Sequence, residues 1–85
     1  MKESRAQFIR RSADELKRQR EALGLSLAEV GAAVDASASV VALWEKGQCM
    51  MSAYSAMLLK MLWRRKWAER EREALKEQMR GEAAL

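Results

Sequence analysis

Residues 24–47, GLSLAEVGAAVDASASVVALWEKG, contain the start and stop signals of two short helices separated by a brief turn. Ser26 followed three residues later by Glu29 forms a capping box, in which the hydroxyl and the carboxylate each accept a hydrogen bond from a backbone amide. The helix that begins there has an apolar stripe at i, i+3 and i+7, formed by Leu27, Val30 and Val34. We therefore predict that the first of the two helices starts after Ser26.

A second helix is predicted beyond Asp35-Ala36, which interrupts the stripe, and Ser37 is its N-cap candidate. It carries Val40, Val41 and Trp44, and Gly47 stands where a residue in the left-handed conformation would end it. Two short helices on a tight turn bury little apolar surface alone, so another helix must cover them. The pattern is typical of a helix-turn-helix unit, whose second helix lies in the DNA major groove.

The chain from about Leu16 to Leu62 resembles the Cro/phage-repressor (Xre-type) helix-turn-helix family. The resemblance covers just over half of the sequence and is carried by Leu23-Gly24-Leu25-Ser26, Ala28-Glu29-Val30, Val34, Ser37, Val41 and Trp44-Glu45-Lys46-Gly47. It implies a lambda-repressor-like domain that binds specific DNA sequences. It also implies an ion pair between Arg20, late in the first helix, and Glu45, which follows the aromatic residue of the recognition helix.

The resemblance further implies which residues meet DNA, with Val41 and Trp44 turned into the core. The expected DNA-binding residues are Ser37, Ala38, Ser39, Val40, Ala42, Leu43, Lys46, Gln48, Lys17, Arg18, Ser26 and Leu27. The family usually has hydrogen-bonding side chains at the groove-facing positions of the recognition helix, whereas here only Ser39 can bond to a base edge. The apolar residues can instead contact thymine methyl groups. Leu27 replaces a Gln that the family often uses to contact a phosphate.

The composition of the whole chain predicts an all-α fold with a long C-terminal helix. The 85 residues include no proline and four glycines, and Ala, Leu, Met, Glu, Lys and Arg are abundant. We expect three segments: an N-terminal arm or helix extension over residues 1–11, a helix-turn-helix DNA-binding domain over 12–62, and a C-terminal helical extension over 63–85 that serves dimerisation.

The start of the first helix has two interpretations. Ser12-Ala13-Asp14-Glu15 is a capping box, which favours a helix that begins at Ser12 and a short basic arm before it. Alternatively, one helix runs from about Ser4 to Leu23, with its apolar residues in register. We prefer the start at Ser12.

The last helix is predicted to begin after Ser52 and to continue to about Arg80, because no helix-breaking residue occurs before Gly81. Trp63 is expected to pack on the domain core, because it lies close to the domain. Trp67 lies one turn further out and is a candidate for contact with a second copy. The expected dimer interface comprises Met61, Trp67 and Leu75.

Several functional classes find no support in the sequence. The chain has no histidine, no phosphate-binding glycine loop and no residues at metal-ligand spacing, so we expect neither an enzyme nor a cofactor or metal. The formal net charge of +4 is compatible with binding to nucleic acid. With a single cysteine, Cys49, and neither a signal-peptide-like segment nor a long apolar run, we expect a soluble protein in a reducing cytoplasm, without a membrane partner.

These observations together predict a small transcriptional repressor. We expect a homodimer that binds a palindromic operator in double-stranded DNA, with half-sites about one helical turn apart, and that occludes a promoter without a small-molecule effector. By analogy, such regulators occur on plasmids and phages. The alternative is a protein–protein adaptor derived from a helix-turn-helix domain, which would use the apolar face of residues 38–43 to bind a protein partner.

Overall fold

The computed structural model describes residues 2–83, which form four α-helices. These are α1 (Arg5–Ala22), α2 (Leu27–Ala33), α3 (Ala38–Glu45) and α4 (Ala53–Ala83). Residues 2–83 contain no β-strand, so the all-α prediction is confirmed. Met1 of the predicted N-terminal segment and residues 84 and 85 of the predicted C-terminal extension lie outside the described residues.

The preferred start of α1 at Ser12 is wrong, and the helix begins one residue after Ser4. The Ser4 hydroxyl accepts a hydrogen bond from the Gln7 amide at 3.2 Å, and the Gln7 side-chain oxygen accepts one from the Ser4 amide at 2.9 Å. Because this earlier capping box already satisfies the helix start, Ser12 lies inside the helix and caps nothing. Residues 5–11 are therefore a helix extension and not an arm.

Both predicted starts in the central segment are confirmed. Ser26 and Glu29 form the reciprocal capping box at α2, with hydrogen bonds of 3.0 and 2.9 Å. At α3 the Ser37 hydroxyl accepts a hydrogen bond from the Val40 amide at 3.1 Å. The two helices consequently begin where short-range hydrogen bonding favours them.

Residues in the left-handed conformation end the first three helices. Gly24 follows α1 with φ +67°, and Gly47 follows α3 with φ +71°, as predicted for Gly47. After α2 the same conformation is adopted by Asp35, with φ +58°. Asp tolerates this region better than most residues, so it can turn the chain between α2 and α3 where glycine would be the usual choice.

One apolar core joins all four helices. Its buried residues are Leu16, Val30, Val34, Val41, Trp44, Leu59 and Leu62, of which Val30 and Val41 have no exposed surface. The predicted stripe of α2 thus faces the core, although Leu27 at its edge is only partly buried. Leu59 and Leu62 of α4 close the core, as the tight helix pair requires.

The long helix α4 extends well beyond this core. Ser52 accepts a hydrogen bond from the Ser55 amide at 3.1 Å, and the helix then runs for 31 residues, past Gly81 and three residues beyond the predicted end. At a rise of about 1.5 Å per residue it is about 46 Å long. Residues 71–81 are all exposed, so the second half of α4 projects from the domain.

No single helix among residues 2–83 has both the length and the apolar character needed to cross a membrane. α2 and α3 meet that criterion only when they are taken together, across a bend of 104° between their axes.

Gly31 permits the closest approach between α2 and the turn that follows it. A Cβ atom at this position would lie 2.4 Å from the carbonyl oxygen of Ala36. That carbonyl belongs to the backbone just before α3, so it could yield only if the turn itself moved. Glycine is therefore required here by tertiary packing, because the backbone conformation of Gly31 is ordinary helix.

We predict that Gly31→Ala destabilises the protein, since overpacking against a fixed backbone costs about 1–3 kcal/mol. The matched control is Gly81→Ala, because nothing lies within 4 Å of a Cβ atom at that helical position. Alanine favours helix over glycine, so the control should retain or slightly raise stability. Urea denaturation of the three proteins measures both changes, and equal stability of Gly31→Ala and the parent would contradict the packing argument.

Candidate nucleic-acid interface

α2 and α3 meet at a steep angle around a short turn. Their axes are bent by 104°, and the four residues 34–37 connect them. The amide of Ala36 donates to the Gly31 carbonyl at 2.8 Å, which holds the turn against the end of α2. α3 is thereby fixed across α2.

The face of α3 that points away from the core combines two apolar residues with one hydroxyl and one basic group. We use the term outward face of α3 for Ser39, Ala42, Leu43 and Lys46. Ser39, Leu43 and Lys46 are exposed and Ala42 is half-buried, while Val41 and Trp44 on the opposite side are buried as the resemblance implied. Ala38 is half-buried at the start of the helix. Gln48 is exposed just beyond the helix end.

Two of the expected DNA-binding residues have other roles. Val40 is half-buried and packs against the core, because it lies one turn before Trp44 and shares its side of the helix. Its expected position on the groove-facing side stays a prediction, with only part of the side chain available for contact. The Ser37 hydroxyl is engaged as the N-cap of α3.

A partly buried ion pair fixes the end of α3 to α1. Arg20 donates two hydrogen bonds to the Glu45 carboxylate, at 2.6 Å from Nε and 2.9 Å from Nη2, and a third to the Leu25 carbonyl at 3.1 Å. The two side chains are only 18% and 9% exposed. The hydrogen bond to Glu45 raises the pKa of Arg20 above its ordinary value. The structure thus contains the pair that the resemblance implied.

The basic residues of α1 do not form one patch. Arg10 lines a groove together with Lys46 at the end of α3, and Asp14 and Glu45 line the same groove. Lys17 lies two turns after Arg10 on the same side of α1, with its Nζ atom 4.0 Å from the Glu21 carboxylate. Arg18 lines a different groove and forms an ion pair with Glu15. Acidic neighbours therefore offset much of the positive charge that the sequence suggested.

The start of α2 offers little to a phosphate. Ser26 and Glu29 occupy each other's backbone amides, and the Glu29 carboxylate stands at the helix N-terminus. Its pKa is held below the ordinary value, chiefly by the hydrogen bond from the Ser26 amide, so the group is charged at neutral pH. Leu27 packs partly against the core. Only backbone amides of the first turn remain as anion donors there.

Trp67, predicted at a dimer interface, contacts α1 of its own chain. Its indole Nε1 donates to the Gln19 side-chain oxygen at 2.8 Å, and the Arg70 guanidinium lies 5.4 Å from the ring centroid. The side chain is nevertheless 41% exposed. Trp63 packs partly against the core, which is the position expected for it.

Exposed apolar side chains lie on the opposite face of α4 in two groups, one near its start and one near its end. We use the term α4 stripe for Tyr54, Met57, Met61, Leu75 and Met79, all of which are more than half exposed. Met61 and Leu75 of the expected dimer interface belong to it. The spacing of Tyr54, Met61, Ala68 and Leu75 is seven residues, which keeps one face of a helix aligned.

An apolar groove that was not predicted from the sequence lies between α1 and the loop after α3. It has a volume of about 280 Å³ and is lined mainly by Phe8, Ile9, Trp44, Met50 and Met51. Only the extension of α1 upstream of Ser12 creates this groove, so the preferred helix start excluded it.

Comparisons of the chain with protein-family models, curated proteins and solved structures found no match.

We predict that Arg20→Ala lowers the free energy of unfolding by about 1.5–3 kcal/mol, the range for hydrogen bonds to charged groups. Arg18→Ala is the matched control, because its ion pair with Glu15 lies on an exposed surface and is worth about 1 kcal/mol at most. Thermal and urea denaturation measure the difference. If both variants were as stable as the parent, the Arg20–Glu45 pair would have no structural role.

Proposed function

We propose that this protein is a sequence-specific DNA-binding transcriptional regulator of the Cro/phage-repressor kind, with α2 and α3 as its helix-turn-helix unit. The observation that carries the proposal is the angle of 104° between two short helices joined by four residues. Helix-turn-helix units join their helices at about 90–120° through turns of this length. α3 is accordingly the helix that enters the major groove.

The anchoring of α3 supports this role. Trp44 and Val41 bind it to the core, and Glu45 binds it to Arg20, so the rotation of α3 about its own axis is fixed. Ser39, Leu43 and Lys46 then face solvent together. A rigid helix with a constant outward face is what base recognition needs, because side chains must meet base edges in one register.

The charge balance supports a moderate attraction to the DNA backbone. The net charge is +4, and Arg10 lines a groove with Lys46, at the C-terminal end of the outward face of α3. When these basic groups neutralise phosphates, counterions are released from the DNA, so the affinity would fall as the salt concentration rises. Because acidic residues stand beside several of the other basic groups, we expect few phosphate contacts for each copy of the chain.

A single α3 spans few base pairs, so we propose that two copies act together on an inverted repeat and repress by covering a promoter. The α4 stripe is the surface through which they pair. α4 projects beyond the domain after residue 70, so a second copy can contact it without covering α3. A plasmid or phage setting is proposed by analogy alone.

Selection of binding sites from random duplex DNA tests the proposal. Enrichment of an inverted repeat would support a dimeric, sequence-specific regulator and would identify its operator. No enrichment at low salt, with protein shown to be folded by circular dichroism, would contradict it. The apolar outward face of α3, with Leu43 38% exposed, would then favour the adaptor function.

We predict that Ser39→Ala relaxes base preference at one or two operator positions and leaves non-specific binding nearly unchanged. Within α3 itself, Ser39 is the only residue of the outward face with a hydrogen-bonding side chain, so its loss removes direct readout there. Lys46→Ala is the contrasting variant: it should weaken binding to all sequences and reduce the salt dependence by about one ion. An unaltered selected site for Ser39→Ala would exclude it as a reader.

We also predict that Leu75→Glu converts the dimer into monomers, because a charge in the α4 stripe would be desolvated on pairing. Lys76→Glu introduces the same side chain one residue away and off the stripe, and it should leave the dimer intact. Sedimentation equilibrium without DNA distinguishes the three proteins. The dimer proposal fails if the parent chain sediments as a monomer, whatever its affinity for DNA.

A further inference from the structure

The outward face of α3 has an exposed apolar side chain at its centre. Leu43 lies four residues after Ser39 and three before Lys46, so these three neighbours line one face of the helix. Leu43 is 38% exposed, and its α3 neighbours Val41 and Trp44 take the core positions. Nothing in the described part of the chain covers its outer surface, since α3 packs on α1, α2 and the core from the other side.

The major groove presents an apolar group that suits such a side chain. Thymine carries a methyl group at C5, and in the groove this methyl is the one apolar feature among the hydrogen-bonding edges of the unmodified bases. 5-Methylcytosine carries the same methyl at the same ring position. A leucine side chain with the small Ala42 beside it can approach either methyl closely.

Resting on the proposed function, we propose that α3 recognises pyrimidines by their C5 methyl group. Leu43 makes the methyl contact, and Ala42 gives the helix the slim profile that the contact needs. The protein therefore binds thymine and 5-methylcytosine as alternatives at the contacted position, and it discriminates against uracil and unmodified cytosine there.

Ser39 is compatible with both methylated bases. Thymine presents the O4 acceptor beside its methyl group, whereas 5-methylcytosine presents the N4 amino donor. A serine hydroxyl can donate to the first and accept from the second. Ser39 therefore does not discriminate between the two methylated pyrimidines, and binding at this position depends on the methyl group.

Paired substitutions in the selected duplex test this proposal. At each pyrimidine, thymine is compared with uracil opposite adenine, and 5-methylcytosine with cytosine opposite guanine, so that each pair differs by one methyl group alone. We expect about fourfold weaker binding for each contacted methyl that is removed, the factor equivalent to about 0.8 kcal/mol per buried CH₂ group. Fluorescence anisotropy at a fixed salt concentration measures each affinity.

Protein variants then assign the contact. Leu43→Ala and Leu43→Gln should both reduce the fourfold ratio towards one, and neither removes a core residue because Leu43 is exposed. Met50→Ala removes an exposed apolar side chain that lies outside both the outward face of α3 and the α4 stripe, and it should preserve the ratio. A ratio that survives both Leu43 variants would overturn Leu43 as the methyl reader.

The outcomes separate this inference from the proposed function. If thymine and uracil bound equally at every position, and 5-methylcytosine and cytosine did so too, methyl recognition would be overturned. DNA binding would remain in place as long as the selected site was still bound. Folded protein that binds no duplex at low salt would overturn both. The comparison of thymine with uracil uses the unaltered protein, so it does not depend on the folding of any variant.

Discussion

The contact between α2 and α3 is the constraint on which the rest of the structure depends. Val30 of α2 and Val41 of α3 are both fully buried in the core. Gly31 lets the turn after α2 approach the helix more closely than any residue with a Cβ atom would allow. Neither helix is long enough to be stable alone, because isolated helices shorter than about 12–15 residues are marginal in water. Their mutual packing, completed by α1 and α4, therefore creates both helices at once.

Three consecutive residues then determine how α3 faces the solvent. Trp44 enters the core, Glu45 meets Arg20, and Lys46 is exposed. Apolar burial alone would tolerate some rotation of a short helix, because packing surfaces are broad. A carboxylate held by two hydrogen bonds from one guanidinium is directional and restricts that rotation. The composition of the outward face is thus a consequence of the polar contact on the helix's other side.

The elements that the sequence predicted well are those that short-range chemistry controls. Ser26 with Glu29, Ser37 and Gly47 each act within one helical turn, so their residue types and spacing were sufficient. α1 was mispredicted because two capping boxes compete in its sequence. Ser12 with Glu15 was preferred, yet Ser4 with Gln7 comes earlier in the chain and forms the observed cap. The longer helix is also stabilised by burial of the apolar face formed by Ile9, Ala13 and Leu16.

The features that the sequence did not predict depend on residues far apart in the chain. The need for glycine at Gly31 arises from the backbone at Ala36, and the orientation of Trp67 depends on Gln19, 48 residues earlier. A count of charges also does not indicate which charges are paired. The basic residues of α1 therefore suggested more positive charge at the candidate nucleic-acid interface than remains beside their acidic neighbours. In the same way, the partial packing of Val40 against the core depends on the tertiary fold, and the resemblance to the family did not indicate it.

The length of α4 has a consequence for how the molecule unfolds. Its first half is attached to the core by Leu59 and Leu62, whereas residues 71–81 are held in helix by their own hydrogen bonds and by exposed pairs such as Lys76–Glu73 and Arg80–Glu77. Each such pair contributes only about 0.2–0.5 kcal/mol and is screened by salt. In a single, unpaired copy of the chain, the backbone amides of the distal half therefore exchange their hydrogens by local fraying, at rates that rise with ionic strength, while those beside the core exchange only when the whole domain opens. One continuous helix thus contains two thermodynamic units.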